Sequence, residues 1–233
     1  MAIEWFGTGA VAAAASGNIT PTLPGSFATG DIAICICCQA DNVVSTMPAG
    51  WTIVDPTNNN GLNNERVWWA WRRLTVGDAN PLITHAAGDT IIARITVYRG
   101  VITTGDPYSA KSVNTTAASN TATALAITPT DADSMIVFCG GQADNSAWSG
   151  YSGTNPTFTE SIDNLTTLGN DASIFLADGR RTTADSTGNR TATASRSFQN
   201  VAFLIALTPP AASPPRRQPP RRALQAVNRA GSW

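Results

Sequence analysis

Short runs that are apolar on both faces set the pattern of this chain. In 32–38, Ile32, Ile34, Ile36 and Cys38 fall on one side of an extended segment and Ala33, Cys35 and Cys37 on the other, the two-residue period of a β-strand. A strand covered on both sides belongs in the middle of a sheet. Met135, Val137 and Cys139 alternate with Ile136 and Phe138 in the same way. The stretch 66–74 places Val67, Trp69 and Trp71 on one face and Trp68, Ala70 and Arg72 on the other, and 90–98 puts Ile91, Ala93, Ile95 and Val97 together. Further strands are predicted at 121–128, 172–177 and 201–208. Residues 1–22 read as an edge strand of small side chains, and Pro48 and Gly50 bend the chain before Trp51 opens another strand. Residues 58–64, rich in Asn, read as a loop. No convincing helical period occurs before residue 220. About eight main strands at this spacing predict an all-β, jelly-roll-like β-sandwich.

The chain also reads as one unit written twice. Gln-Ala-Asp-Asn follows an apolar strand at 39–42 and again at 142–145, and Ile-Thr-Pro-Thr precedes each copy at 19–22 and 127–130. An offset of 108 links the second pair, and it also carries Arg72-Arg73 onto Arg180-Arg181 and 95–97 onto 203–205. The first pair needs 103, so intervening loops differ in length. Halves of about 1–107 and 108–208 follow, within a sandwich domain at 1–208.

Charge divides the chain differently. Charged residues are only 13% of the 233, against roughly 25% in an average domain, so hydroxyls and amides carry the surface polarity. Residues 1–208 hold ten Lys and Arg against sixteen Asp and Glu, a net −6, while 209–233 hold five Arg and no acid. Six of the fourteen prolines lie at 209–220, where Pro-Pro-Arg-Arg occurs twice. Proline lacks the N–H a sheet needs, so this segment is an extended arm. Beyond it, 223–230 could form two helical turns with Leu224 and Val227 on one face, before Trp233. These apolar groups read as anchors and Arg216, Arg217, Arg221 and Arg222 as partners for acidic groups on a neighbour. Nucleic acid suits the arm less well, because five arginines without interleaved aromatics make a small footprint.

Little in the inventory suggests catalysis. His85 is the one histidine, no nucleophile elbow, phosphate loop or metal-ligand run occurs, and no cofactor is expected. His85 reads as a loop residue. Asp131 with Asp133, or Glu160 with Asp163, would be carboxylate pairs by proximity only, and turn or surface roles explain both. Cys35, Cys37, Cys38 and Cys139 sit within strands and read as small buried thiols of a reducing cytoplasm. The apolar run 10–15 has Glu4 and no basic residue ahead of it, unlike a signal sequence, and no stretch approaches the ~18 apolar residues of a membrane span. Four Asn-x-Thr sequons, at Asn18, Asn114, Asn164 and Asn189, are read as accidents of an Asn- and Thr-rich composition. Trp51, Trp68, Trp148 and Tyr151 could stack on a sugar face or pack in a core or subunit interface.

Several motifs run in a distinctive order: Leu-Pro-Gly at 23–25, Gly30-Asp31 before its apolar strand, Pro-Ala-Gly-Trp-Thr at 48–52, the Trp-rich 66–74, and Ile-Thr-Val-Tyr-Arg-Gly-Val at 95–101. This order resembles a module of virion structural proteins in tailed bacteriophages, clearly over 19–101 and more weakly to Leu207. The resemblance implies a non-enzymatic β-sandwich displayed on a phage particle (head decoration, collar or tail) after synthesis in the host cytoplasm, and it brings no catalytic residue. The expected partners are other virion proteins, reached through the arm, and further copies of the chain in a homo-oligomer. The alternative is a carbohydrate-binding adhesin or receptor-binding module facing a host surface glycan, with Trp51, Trp68, Trp148 and Tyr151 as its site.

Overall fold

The computed structural model describes residues 2–59, 64–86 and 88–211. They form twelve strands: β1 Glu4–Thr8, β2 Ala12–Ala14, β3 Ile32–Gln39, β4 Thr52–Asn59, β5 Glu65–Arg73, β6 Ile91–Arg99, β7 Tyr108–Ala124, β8 Ser134–Gln142, β9 Trp148–Ser149, β10 Thr159–Thr166, β11 Ala172–Arg181 and β12 Arg190–Leu207. Two six-stranded antiparallel sheets pack face to face as a β-sandwich. The first has the order β1-β6-β3-β5-β4, with β2 also on β6, and the second β10-β11-β8-β12-β7, with β9 on β12. Each half of the chain builds one sheet.

Read from its other end, the second order is β7-β12-β8-β11-β10, strand for strand the order of the first. Packing keeps the correspondence, because β10 lies against β6 as β4 lies against β12. Register makes it quantitative. Gln39 and Gln142 close β3 and β8 at the sequence offset of 103; they face Arg66 and Ser173 on one side, and Ile91 and Asn200 on the other. The flanking strands therefore correspond at 107 and 109, and the offset of 108 misses each by one residue. One residue is the difference between the two faces of a strand. Arg73, not Arg72, is the counterpart of Arg180, and Ile95 matches Leu204 rather than Phe203.

Three apolar layers follow from strands covered on both faces. The layer between the sheets takes Ile32, Ile34, Ile36 and Cys38 with Val67 and Trp69 from one side, and Met135, Val137, Cys139, Leu176, Phe203 and Ile205 from the other. Behind the first sheet, Ala33, Cys35, Cys37, Trp68 and Ile95 are sealed by loop residues including Ile19, Leu23, Phe27, Met47 and Trp51. Behind the second, Phe138, Phe175 and Leu204 are sealed by Ile127, Trp148, Tyr151 and Phe158. Ile19 and Ile127, which open the repeated tetrapeptide, are thus matching plugs on opposite outer faces.

Two local features depart from the sequence expectation. β7 runs for 17 residues and β10 for 8 through Ser-, Thr- and Asn-rich sequence, because edge strands need only one buried face and alternation is weak there. Asn58 and Asn59, expected in a loop, end β4 opposite Arg66 and Glu65. The proposed arm anchors Arg216, Arg217, Arg221, Arg222, Leu224, Val227 and Trp233 lie outside the described residues, and so does the predicted helical segment 223–230.

Candidate functional site

The motif residues carry structural work. In Pro-Ala-Gly-Trp, Gly50 adopts φ +89°, and a Cβ there would meet the Arg72 guanidinium at 3.1 Å. Arg72 donates to the Ala49 carbonyl at 2.9 Å and pairs with Asp78. In Tyr-Arg-Gly-Val, Arg99 makes a two-pronged pair with Asp31 at 3.0 and 2.7 Å and lies 4.3 Å from the Phe6 ring centroid. Asp31 in turn accepts from the Ala28 N–H at 2.8 Å, so Gly30-Asp31 and the end of β6 are clamped together. A Cβ on Gly100 would meet the Ala2 carbonyl oxygen at 2.6 Å. Val101 joins the interior.

The four aromatic candidates do not converge. Trp51 and Trp68 lie behind the first sheet, and Trp148 and Tyr151 lie behind the second. Trp68 is 1% exposed and Trp148 3%, leaving neither ring a face for a sugar. Trp68 donates its indole N–H to Gln39 at 2.9 Å. Trp148 donates to Ser173 at 3.2 Å and packs on Phe175 at 4.5 Å between centroids. Trp51 and Tyr151 are partly buried against these same clusters.

His85, expected in a loop, is buried and wired into that network. Its Nδ1 lies 2.8 Å from Gln39 Nε2 and 3.1 Å from the Ser45 hydroxyl, and its Nε2 lies 3.2 Å from Asp41. Gln39 Nε2 can only donate, so Nδ1 is the acceptor and Nε2 carries the proton toward Asp41. Ser45, His85 and Asp41 therefore resemble a nucleophile–base–acid trio in composition only: the acceptor nitrogen is already engaged by Gln39, and Ser45 is buried. This cluster pins the turn after β3.

Two carboxylates enter the interior. Glu65 is fully buried and accepts from the Ala143 N–H at 2.8 Å; burial pushes its carboxyl up to about 8, against the opposing hydrogen bonds from Ala143 and Asn59. Asp178 accepts from the Tyr98 hydroxyl at 3.0 Å. Burial pushes Asp178 up to about 6, while the Tyr98 and Ser161 hydroxyls pull the other way. Burial, then Asp178, pushes the Tyr98 phenol well up as well. A sequence signal for Asp178 exists: inward positions of 172–178 run Ala172, Ile174, Leu176, Asp178, an acid where the alternation asks for an apolar residue.

Asp178 borders a cleft of about 250 Å³ at one margin of the sandwich, lined by Trp5, Thr159, Glu160, Ser161 and Asp178. β1 supplies Trp5 from the edge of the first sheet, and β10 and β11 supply the remainder from the edge of the second. Trp5 is 48% exposed and its indole N–H donates to the Thr96 hydroxyl at 3.0 Å. β10 is bulged between Glu160 and Ile162, and β1 between Trp5 and Gly7. Both irregularities lie at the cleft.

The carboxylate pairs singled out by proximity have other partners. Asp133 sits in a turn at φ +65° and pairs with Arg180 at 2.9 Å, and Asp131 accepts from the Thr130 hydroxyl. Asp163 accepts from the Trp148 N–H at 3.2 Å. All four cysteines are free and buried, with their thiols pushed up by burial. Among the described residues no group of three or more His, Cys, Asp or Glu is placed to hold a metal ion. Comparison with protein-family models, curated proteins and solved structures gave no match.

Proposed function

We propose that the protein is a non-enzymatic structural component of a tailed-phage virion, its sandwich displayed on the particle and its 209–233 arm attached to neighbouring virion proteins. The observation that carries this reading is the use made of the motifs shared with that module. Gly30-Asp31, Pro-Ala-Gly-Trp and Tyr-Arg-Gly-Val all serve turn geometry, an ion-pair clamp or core packing, and none presents a reactive group. A chain whose distinguishing residues are spent on a rigid body suits a display role.

The arm follows from charge and from the place where the body ends. Thr208 donates to the Pro107 carbonyl at 2.9 Å and accepts from the Ile102 N–H at 3.0 Å, so the last sheet contacts are complete before the Pro-rich segment starts. A body of net −6 then continues into a segment of net +5. Arg216, Arg217, Arg221 and Arg222 pair with acidic groups on a neighbour, and Leu224, Val227 and Trp233 bury themselves there.

Labelling of intact, purified particles with antibodies against residues 1–208 tests the reading. Regular surface label is expected. Antigen found only in the unassembled lysate fraction would end it.

A further inference from the structure

The margin cleft gains meaning from its counterpart on the opposite margin. Trp5 pairs with Tyr98 at the end of β6, and Tyr108 pairs with Leu207 at the corresponding end of β12. Thr159 faces Asp178 across β10 and β11, as Thr52 faces Trp71 across β4 and β5. The two margins are therefore built to one plan from Trp5, Thr159 and Asp178 on one side and Tyr108, Thr52 and Trp71 on the other. On the second margin Trp71 and Tyr108 both pack against the interior layer. On the first, a carboxylate replaces the indole of Trp71, and the cleft stands beside it.

We propose that this cleft, with Trp5 as platform and Asp178, Ser161 and Thr159 as its polar wall, binds a single pyranose ring of a glycan. The chemistry matches on each side. A half-exposed indole presents a flat apolar face to the C–H face of a sugar, and its bond to Thr96 fixes the ring before a ligand arrives, which limits the ordering cost of binding. Asp178 accepts a hydrogen bond from Tyr98 and is held in place by it, so its carboxyl is oriented in advance to accept from a sugar hydroxyl. Ser161 and Thr159 can donate or accept. Size restricts the ligand: about 250 Å³ falls below the roughly 300 Å³ at which pockets for drug-sized ligands begin. One ring enters, with the remainder of the glycan outside. This assignment moves sugar recognition away from Trp51, Trp68, Trp148 and Tyr151, and it stands apart from particle attachment through the arm.

The test uses the full chain on an array of immobilised glycans bearing different terminal hexopyranoses, followed by titration calorimetry with the corresponding free monosaccharide. Binding to at least one terminal hexopyranose is expected, with a Kd of about 1 mM or tighter for the free sugar. Trp5→Ala should weaken it by at least about tenfold, Trp5→Phe should retain part of it, and Trp51→Ala should leave it unchanged. Thermal melts of each variant separate loss of the site from loss of the fold, and Asp178→Asn supplies a second probe that keeps side-chain shape and should also weaken binding. Absence of binding to every hexopyranose, or binding that survives Trp5→Ala in a folded protein, would overturn the proposal. Particle incorporation is read separately, so either outcome leaves the structural role to its own test.

Discussion

Cys38 and Gly141 occupy corresponding positions in the two halves and meet each other across the interior: a Cβ on Gly141 would lie 3.0 Å from the Cβ of Cys38 and 2.6 Å from the Ser173 carbonyl oxygen. Both layers approach closely here because one of the two counterparts lacks a side chain.

Gly141→Ala should therefore destabilise the protein by about 1–3 kcal/mol, the usual cost of overpacking a filled core. Gly25→Ala is the control, since nothing lies within 4 Å of its Cβ position, and it should stay within about 0.5 kcal/mol of the parent. Urea denaturation of the two variants checks the difference.

Glu65 makes stability depend on pH. Its carboxyl titrates near 8 when folded, above its ordinary value of 4.5, so the folded state holds the proton over that window and the unfolded state does not. Stability is then greatest on the acid side and falls as pH rises from about 4.5 to about 8, by on the order of 3–5 kcal/mol. Asp178, raised to about 6, adds a smaller fall of the same sign ending near pH 6. Glu65→Gln, which can still accept from Ala143, should be more stable than the parent at pH 8 and show a flatter profile. Chemical denaturation at pH 5, 6.5 and 8 would reveal it; an unchanged slope in the variant would remove Glu65 as the cause.

Tyr98→Phe removes the hydroxyl that Asp178 accepts from across the two sheets. A buried carboxylate losing a donor costs about 1–3 kcal/mol, and the loss should raise the Asp178 carboxyl further. Carbon-detected titration of Asp178 and a melting curve test the two halves of this expectation together.

Trp68→Ala should cost about 3–5 kcal/mol, the range for emptying a buried aromatic position. It also leaves Gln39 without the indole donor. Melting curves should show this loss, and any accompanying loss of ligand binding should track unfolding rather than a change in affinity of the folded protein.

Much of the fold was legible because the central strands are apolar on both faces: 32–38 and 135–139 could be placed in the middle of a sheet from alternation alone, and 66–74 could be given one core face and a second face that is partly apolar. The repeat was legible through Gln39 and Gln142, buried residues that end equivalent strands. The offset of the flanking strands was not, since loops of unequal length shift register by a residue without altering composition. β10, and all of β7 but 121–124, escaped because an edge strand of Thr, Ser and Asn has little alternation to display. The cleft escaped for a related reason: Trp5 lies on an edge strand far in sequence from Asp178, and only the pairing of β1 with β6 and the packing of β10 over β6 bring them to one margin. His85 does lie in a loop, but its burial escaped, because its partners Gln39, Asp41 and Ser45 are remote from it in sequence.

Attachment through the arm is the central claim, and quantitative mass spectrometry of purified particles tests it most directly, comparing the full chain with one ending at Thr208. Truncation there preserves the bonds of Thr208 to Pro107 and Ile102 only in part at a new terminus, but it leaves every strand of the described residues intact, so the shortened protein should melt within a few degrees of the parent. The full chain should appear in particles at a fixed stoichiometry and the folded, shortened chain should be absent. Equal incorporation of both, or absence of both, would contradict the account.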